Sequence, residues 1–170
     1  LPTFLEPIEA LMRSQEDAAN QLTEQFLQVN GIGGLLINVS LMALLPAVSE
    51  ELTFRGTIQS FFANSPDSNG AFTSTKSLSV RTKIGIWATA IIFSFVHFQF
   101  YGFVPRMLMG AMFGYMLAWT GSLWVPMLMH FVNNAVAVLS YYITYNYSLD
   151  PDSIDSIGTS STLWLGILSI

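Results

Sequence analysis

Glu50 and Glu51 stand side by side in an otherwise apolar run, with Arg55 four residues further on. His97, His130 and Asn134 interrupt two other apolar stretches. A carboxylate and an imidazole that share a water molecule can activate it as general bases, and an imidazole beside an amide can hold a developing oxyanion. The spacing assigns roles. Glu51 and Arg55, at i,i+4 on one helical face, can pair, which leaves Glu50 as the freer carboxylate and the candidate base beside His97. His130 and Asn134 repeat the i,i+4 spacing and project together. Taken one at a time, each has a plainer reading: an ion pair that only supports structure, a satisfied core histidine, and helix–helix glue for Asn134, the role assigned to its neighbour Asn133. The case for chemistry is their convergence.

That convergence matters because the surroundings are lipid-like. The 170 residues are 52% hydrophobic and 10% charged, against about 25% charged in an ordinary soluble domain. Mean hydropathy is +0.50. Between Ile84 and Leu149 the only Asp, Glu, Lys, Arg or His side chains are His97, Arg106 and His130. Inside hydrocarbon each ionisable group costs ~2.5–3.5 kcal/mol on insertion scales, so each is a functional candidate. The net charge of −5 describes the polar ends and carries no conclusion about nucleic acid; no basic face is present, and no nucleic-acid partner is expected. The absence of cysteine excludes disulfides, thiolate metal sites and a cysteine nucleophile.

The elements that must position these groups follow from periodicity. Residues 1–30 form an amphipathic segment, with Phe4, Leu5, Ile8, Leu11 and Met12 and then Leu22, Phe26 and Val29 as its apolar positions and a break expected near Asn20. It suits the membrane surface or the side of a bundle. Residues 31–62 are long enough to span, at roughly 20 residues per crossing, and Pro46 is expected to kink them before the acidic pair. Residues 63–83 read as a polar loop. Spans are expected at Ile84–Val104, Pro105–Thr120 and Ser122–Ile143, with a small-residue stripe at Gly110, Gly114 and Ala118 for close helix approach and a tight turn at Thr120-Gly121-Ser122. Tyr141, Tyr142, Tyr145 and Tyr147 suit an interfacial belt, and another apolar segment begins at Leu163. The chain therefore reads as one all-α domain over 1–170, a polytopic transmembrane helix bundle with its core in 31–170, and as a piece of a longer protein. No signal peptide is visible in the acidic, polar N-terminal residues.

Depth supports convergence. At a rise of 1.5 Å per residue, Glu50 and His97 each lie roughly 18–20 Å from the 63–83 side, His130 roughly 12 Å and Asn134 about 18 Å. Lys76, Arg81 and Lys83 place that side in the cytoplasm.

Three motifs then become recognisable. Glu50-Glu51-Leu52-Thr53-Phe54-Arg55 resembles the EExxFR signature of the CAAX-protease and bacteriocin-processing (ABI) family, Phe93-Ser94-Phe95-Val96-His97 resembles its FxxxH motif, and His130-Phe131-Val132-Asn133-Asn134 resembles its HxxxN motif. The likeness covers about Leu45 to Val138. It implies an intramembrane endopeptidase in which Glu50 and His97 activate water, His130 and Asn134 form the oxyanion site, and Glu51 with Arg55 supports them. The substrates it implies are hydrophobic, membrane-associated or prenylated peptides, and the expected place is a bacterial inner membrane with the site reached from the cytoplasm.

Relatives are often described as metalloproteases, so zinc held by Glu50, His97 and His130 is the alternative to metal-free chemistry. No HExxH is present, Asn is a poor zinc ligand, and the expectation is no cofactor. The competing functions are a non-catalytic bacteriocin-immunity or adaptor protein and, more weakly, a proton-coupled transporter, for which no inverted repeat is evident. Phe93, Phe95, Phe98, Phe100, Phe103 and Phe113 are expected to line an apolar pocket or to face lipid.

Overall fold

The computed structural model describes residues 6–63 and 78–147, and every regular element among them is a helix. Five helices follow in order: α1 (Glu6–Leu27), α2 (Gly31–Phe62), α3 (Val80–Phe95), α4 (Phe103–Thr120) and α5 (Trp124–Tyr147). The expected segment from Leu163, and the polar loop apart from its last residues, lie outside the described residues.

Amphipathic α1 runs without the break expected at Asn20. Asn is only mildly unfavourable inside a helix, and nothing nearby forces an interruption. Leu27 is its one buried residue, while Ile8, Leu11, Leu22 and Phe26 are exposed. The carboxyl end is tied down by two amides. Asn38 Nδ2 donates to the Phe26 carbonyl at 2.8 Å, and Asn146 Nδ2 donates to the Val29 carbonyl at 3.2 Å. The first of these satisfies one of the four carbonyls that a helix end leaves unpaired.

The central element is α2, and its pitch is unusual. Wide π-helical turns occupy Val39–Leu44 and Leu52–Gln59, separated by α-helix at Leu45–Glu51. Pro46 explains the first. It has no N–H to give, and its ring crowds the carbonyl four residues back. The helix widens just upstream instead, with Leu45 N–H reaching five residues back to the Ser40 carbonyl. In the second, the Thr57 and Ser60 hydroxyls bond the carbonyls five residues before them, at 3.2 and 3.0 Å to Leu52 and Arg55.

The consequence is a straightened stripe. In an α-helix each four-residue step overshoots a full turn by about 40°, so four steps drift by about 160°. The π turns take up that drift. Ala43, Ala47, Glu51, Arg55 and Gln59, each four residues after the last, are all buried.

Helices α3 and α4 lie against the second half of α2, and α5 packs on its first half and on α4. Ser79 caps α3, its hydroxyl accepting from Thr82 N–H at 3.0 Å. The span expected at Ile84–Val104 is corrected here: α3 stops at Phe95, residues 96–102 turn, and α4 restarts at Phe103. The expected turn at Thr120-Gly121-Ser122 is present. Gly121 adopts φ 65°, and its N–H closes α4 on the Leu117 carbonyl at 2.8 Å.

The small-residue stripe of α4 faces α2 and α3. A Cβ on Gly110 would come within 3.2 Å of Phe93 Cδ1 and 3.3 Å of both Ala90 Cα and Arg55 Nη2. Ile86, Ala90 and Ala111 form the small core between these helices. Outward faces are apolar: Leu36, Ile37, Leu41, Leu44 and Leu45 on α2 are exposed, a surface that a water-soluble monomer rarely tolerates. By length and composition, α2 is the one helix among the described residues that can cross a membrane.

Gly110→Ala is expected to lower stability by about 1–3 kcal/mol, because a backbone atom of α3 must move. Gly33→Ala, with nothing within 4 Å, should leave it unchanged or slightly raised. Thermal unfolding in detergent compares the two, and equal midpoints would refute the close-approach account.

Candidate active site

The buried stripe of α2 delivers Glu51 and Arg55 to the interior, both with fully buried side chains. A lone charge there would be prohibitive, and a pair is tolerable only with good geometry and further hydrogen bonds. Glu51 Oε1 accepts from Arg55 Nη1 at 2.9 Å and from His130 Nδ1 at 2.9 Å. Arg55 Nη2 donates to the Gly110 carbonyl at 2.9 Å, an approach that the missing side chain of Gly110 allows. The guanidinium also lies 4.6 Å from the Phe93 ring centre and 5.4 Å from that of Phe113, a favourable cation–π arrangement. One stripe residue further on, Gln59 Nε2 donates to the Gly114 carbonyl at 3.0 Å. Four helices, α2 to α5, are joined through these contacts.

Glu50 is one residue earlier and therefore about 100° round the helix. Its side chain is 28% exposed, yet Oε2 is itself buried and has no hydrogen-bond partner in the protein. Two imidazoles face that oxygen: His97 Nε2 at 3.8 Å and His130 Nε2 at 3.9 Å. Both separations are too long for a direct hydrogen bond and short enough for one water molecule to touch the atoms on either side.

His97 is not on a helix. It lies in the turn after α3, and its Nδ1 donates to the Phe93 carbonyl at 2.7 Å, one of the last carbonyls of that helix. A carbonyl can only accept, so the proton sits on Nδ1 and the Nε2 lone pair is turned toward Glu50. One hydrogen bond therefore caps α3 and sets the tautomer. The next residue, Phe98, has φ 53°, a left-handed conformation that costs about 1–2 kcal/mol for a residue with a side chain.

His130 follows the same logic from α5. Its Nδ1–H is held by the Glu51 carboxylate and its Nε2 faces Glu50. The ring stacks on Phe113, with centroids 5.3 Å apart, and meets the edge of Phe93 at 6.0 Å.

Of the residues selected from sequence, Glu50, Glu51, Arg55, His97 and His130 therefore gather within one connected group. Asn134 is one turn beyond His130 and half-buried. Its Oδ1 accepts from Asn133 Nδ2 at 3.4 Å, and it makes no direct hydrogen bond to Glu50 or His130. The depth estimate for His97 needs correction, because α3 begins at Val80 and ends before it. The phenylalanines divide between the two expected places. Phe93 and Phe113 are buried against His130 and Arg55, whereas Phe95 and Phe98 are exposed. The Glu51–His130 bond, between residues 79 apart, left no local signal in the sequence. Gln59 did leave one, since it continues the four-residue step from Glu51 through Arg55.

A family model described as type II CAAX prenyl endopeptidase Rce1-like matches residues 32–136, more than half of the chain and all three motifs. The chain is also similar to the uncharacterized protein YpbD of Bacillus subtilis (strain 168), at 30% identity over 103 residues covering 58% of this chain. It spans 43% of the length of that relative. No solved structure gives a significant match. The protein belongs to the type II CAAX prenyl endopeptidase Rce1-like family.

Proposed function

We propose that the chain is an intramembrane endopeptidase that hydrolyses a peptide bond in a membrane-associated substrate. The observation that carries this reading is the unpartnered, buried Oε2 of Glu50 between two imidazole nitrogens at 3.8 and 3.9 Å. Buried polar atoms are satisfied as a rule, and among the exceptions here, which include Glu51 Oε2 and Arg55 Nε, Glu50 Oε2 is distinguished by the two ring nitrogens that face it. A water molecule seated there would satisfy Glu50 and stand ready for attack.

In the reaction, water between Glu50 Oε2 and His97 Nε2 gives up a proton to this pair as its oxygen bonds to the scissile carbonyl carbon. The carbonyl oxygen becomes an oxyanion, which His130 and the Asn134 amide stabilise. His130 holds one proton on Nδ1 toward Glu51, so its Nε2 donates to the oxyanion only on receiving, through Glu50, the proton taken from water. When the carbon–nitrogen bond breaks, the proton taken from water passes to the leaving amine.

Metal-free chemistry suits the donor set. Donors at about 2.0–2.1 Å from a tetrahedral zinc stand roughly 3.3 Å apart, closer than the 3.8 and 3.9 Å between Glu50 and the two histidines. No group of three or more His, Cys, Asp or Glu side chains among the described residues is arranged to hold a metal ion.

The family is membrane-integral; α2 is long and apolar enough to cross the bilayer, and the exposed apolar faces of α3, α4 and α5 suit helices seated beside it in lipid. The basic residues Lys76, Arg81 and Lys83 support a cytoplasmic location for the end of the bundle between α2 and α3. In a bacterial inner membrane that orientation would admit substrates from the cytoplasm. A hydrophobic or prenylated peptide is the substrate class that the family and the apolar surroundings favour.

The decisive test is cleavage of a prenylated peptide in a lipid-like medium by the purified full-length protein. Glu50→Gln should lower turnover by about 10²–10⁴-fold, the range for loss of a general base, with an unchanged melting temperature. A variant that still turned over normally would end this reading. Glu51→Gln should fail differently, losing roughly 3–5 kcal/mol of stability because Arg55 is left as an uncompensated buried charge, as unfolding in detergent would register. Activity should also survive a chelator, and loss on chelation with return on adding zinc would favour the metal alternative.

A further inference from the structure

His97 owes its position to a turn, and the turn owes its shape to a residue outside the three motifs. Arg106, in the first turns of α4, reaches back to residue 99 with both terminal nitrogens. Nη2 donates to the Gln99 side-chain Oε1, and Nη1 donates to the Gln99 main-chain carbonyl at 3.3 Å. The guanidinium fork thus fixes the side chain and the backbone of one residue at once, as two divergent donors can.

Gly102 leaves the room for it. A Cβ there would come within 3.0 Å of Arg106 Nη2. Two further bonds hold the ends of the turn. The Ser94 hydroxyl donates to the Phe103 carbonyl at 2.7 Å, and Tyr101 N–H donates to Glu16 Oε2 at 3.2 Å. Within this frame Phe98 is held in its left-handed conformation, φ 53°, and His97 precedes it. A conformation of this kind persists only when its surroundings over-determine it.

We propose that Arg106 is a positioning residue for the peptidase reaction, clamping Gln99 so that the 96–102 turn holds the His97 ring with Nδ1 on the Phe93 carbonyl and Nε2 toward Glu50. The proposal rests on the reading of Glu50 and His97 as the water-activating pair. Without the clamp the turn relaxes, the Nδ1 bond is lost, and the ring samples both tautomers. Arg106 then matters to turnover rather than to substrate binding, and a 1 Å misplacement can lower a rate by about 10²-fold.

The test compares Arg106→Ala, Arg106→Lys and Gln99→Ala with wild type, in full-length protein purified in detergent. The probe is a prenylated peptide for kinetics, together with ¹⁵N NMR of the histidine rings. The chain has two histidines, so His130 serves as an internal reference for His97. Expected are a fall in kcat of about 10- to 100-fold with KM unchanged, an intermediate value for Arg106→Lys, and a His97 nitrogen pair that shifts toward averaged tautomers while His130 stays in place.

Unchanged His97 signals in the folded variants overturn the proposal. So does a rise in KM at constant kcat, which would mark Arg106 as a substrate contact. Should Arg106→Ala fail to fold, Gln99→Ala and Arg106→Lys decide by the same readings. Should wild type cleave nothing, the peptidase reading fails, and the imidazole spectra alone still decide whether Arg106 sets the His97 ring.

Discussion

The bond on which the rest of the structure depends is the buried contact between Glu51 and Arg55. Both side chains are fully enclosed, so each charge must be balanced where it stands. That requirement explains an unusual share of the surrounding sequence. It explains Gly110, whose bare backbone lets a carbonyl reach Arg55 Nη2 at 2.9 Å. It also explains Phe93 and Phe113, whose rings flank the guanidinium. His130 completes the set by donating to the same carboxylate oxygen that Arg55 uses. Removing either partner of the ion pair leaves an unmatched charge in the interior of the bundle.

Supporting this pair has a second effect, on the residue beside it. Glu50 and Glu51 are chemically identical and adjacent, and the helix alone separates their fates. One turns inward and is consumed by structure. Each keeps one buried oxygen with no partner in the protein, but only that of Glu50 is turned toward the two Nε2 atoms, at 3.8 and 3.9 Å. Two neighbouring carboxylates thereby acquire opposite characters without any difference in side chain. The π turns contribute, because they keep Ala43, Ala47, Glu51, Arg55 and Gln59 in register. A uniform α-helix would have carried the ends of that stripe to opposite sides.

Much of this was legible in the residues themselves. Helical spacing pairs Glu51 with Arg55, and the same spacing leaves Glu50 for another purpose. The Gly110 and Gly114 stripe announces close packing, although nothing in it says that the exposed backbone serves as acceptor for Arg55 and Gln59. What periodicity misses is where a pattern stops for tertiary reasons. The apolar run from Ile84 through Phe100 offers no Gly, Pro or charge at Phe95, so a longer helix is the natural expectation. At the stop stand side chains from just downstream, His97 on the Phe93 carbonyl and Arg106 on Gln99, which no periodicity announces. The Glu51–His130 bond was hidden for a related reason: i,i+4 reasoning finds partners within a helix and is blind to those across helices. Asn20 shows the reverse case: a mildly unfavourable residue sits inside α1 without interrupting it.

Both partners of the Glu51–Arg55 contact belong to α2, so neither must await a later segment. The acid and the base can cancel each other while α2 is the newest element leaving the translocon, before α5 has been synthesised. His130 then arrives at a pre-neutralised unit instead of a bare charge. Biogenesis and chemistry therefore make compatible demands on the same four-residue spacing.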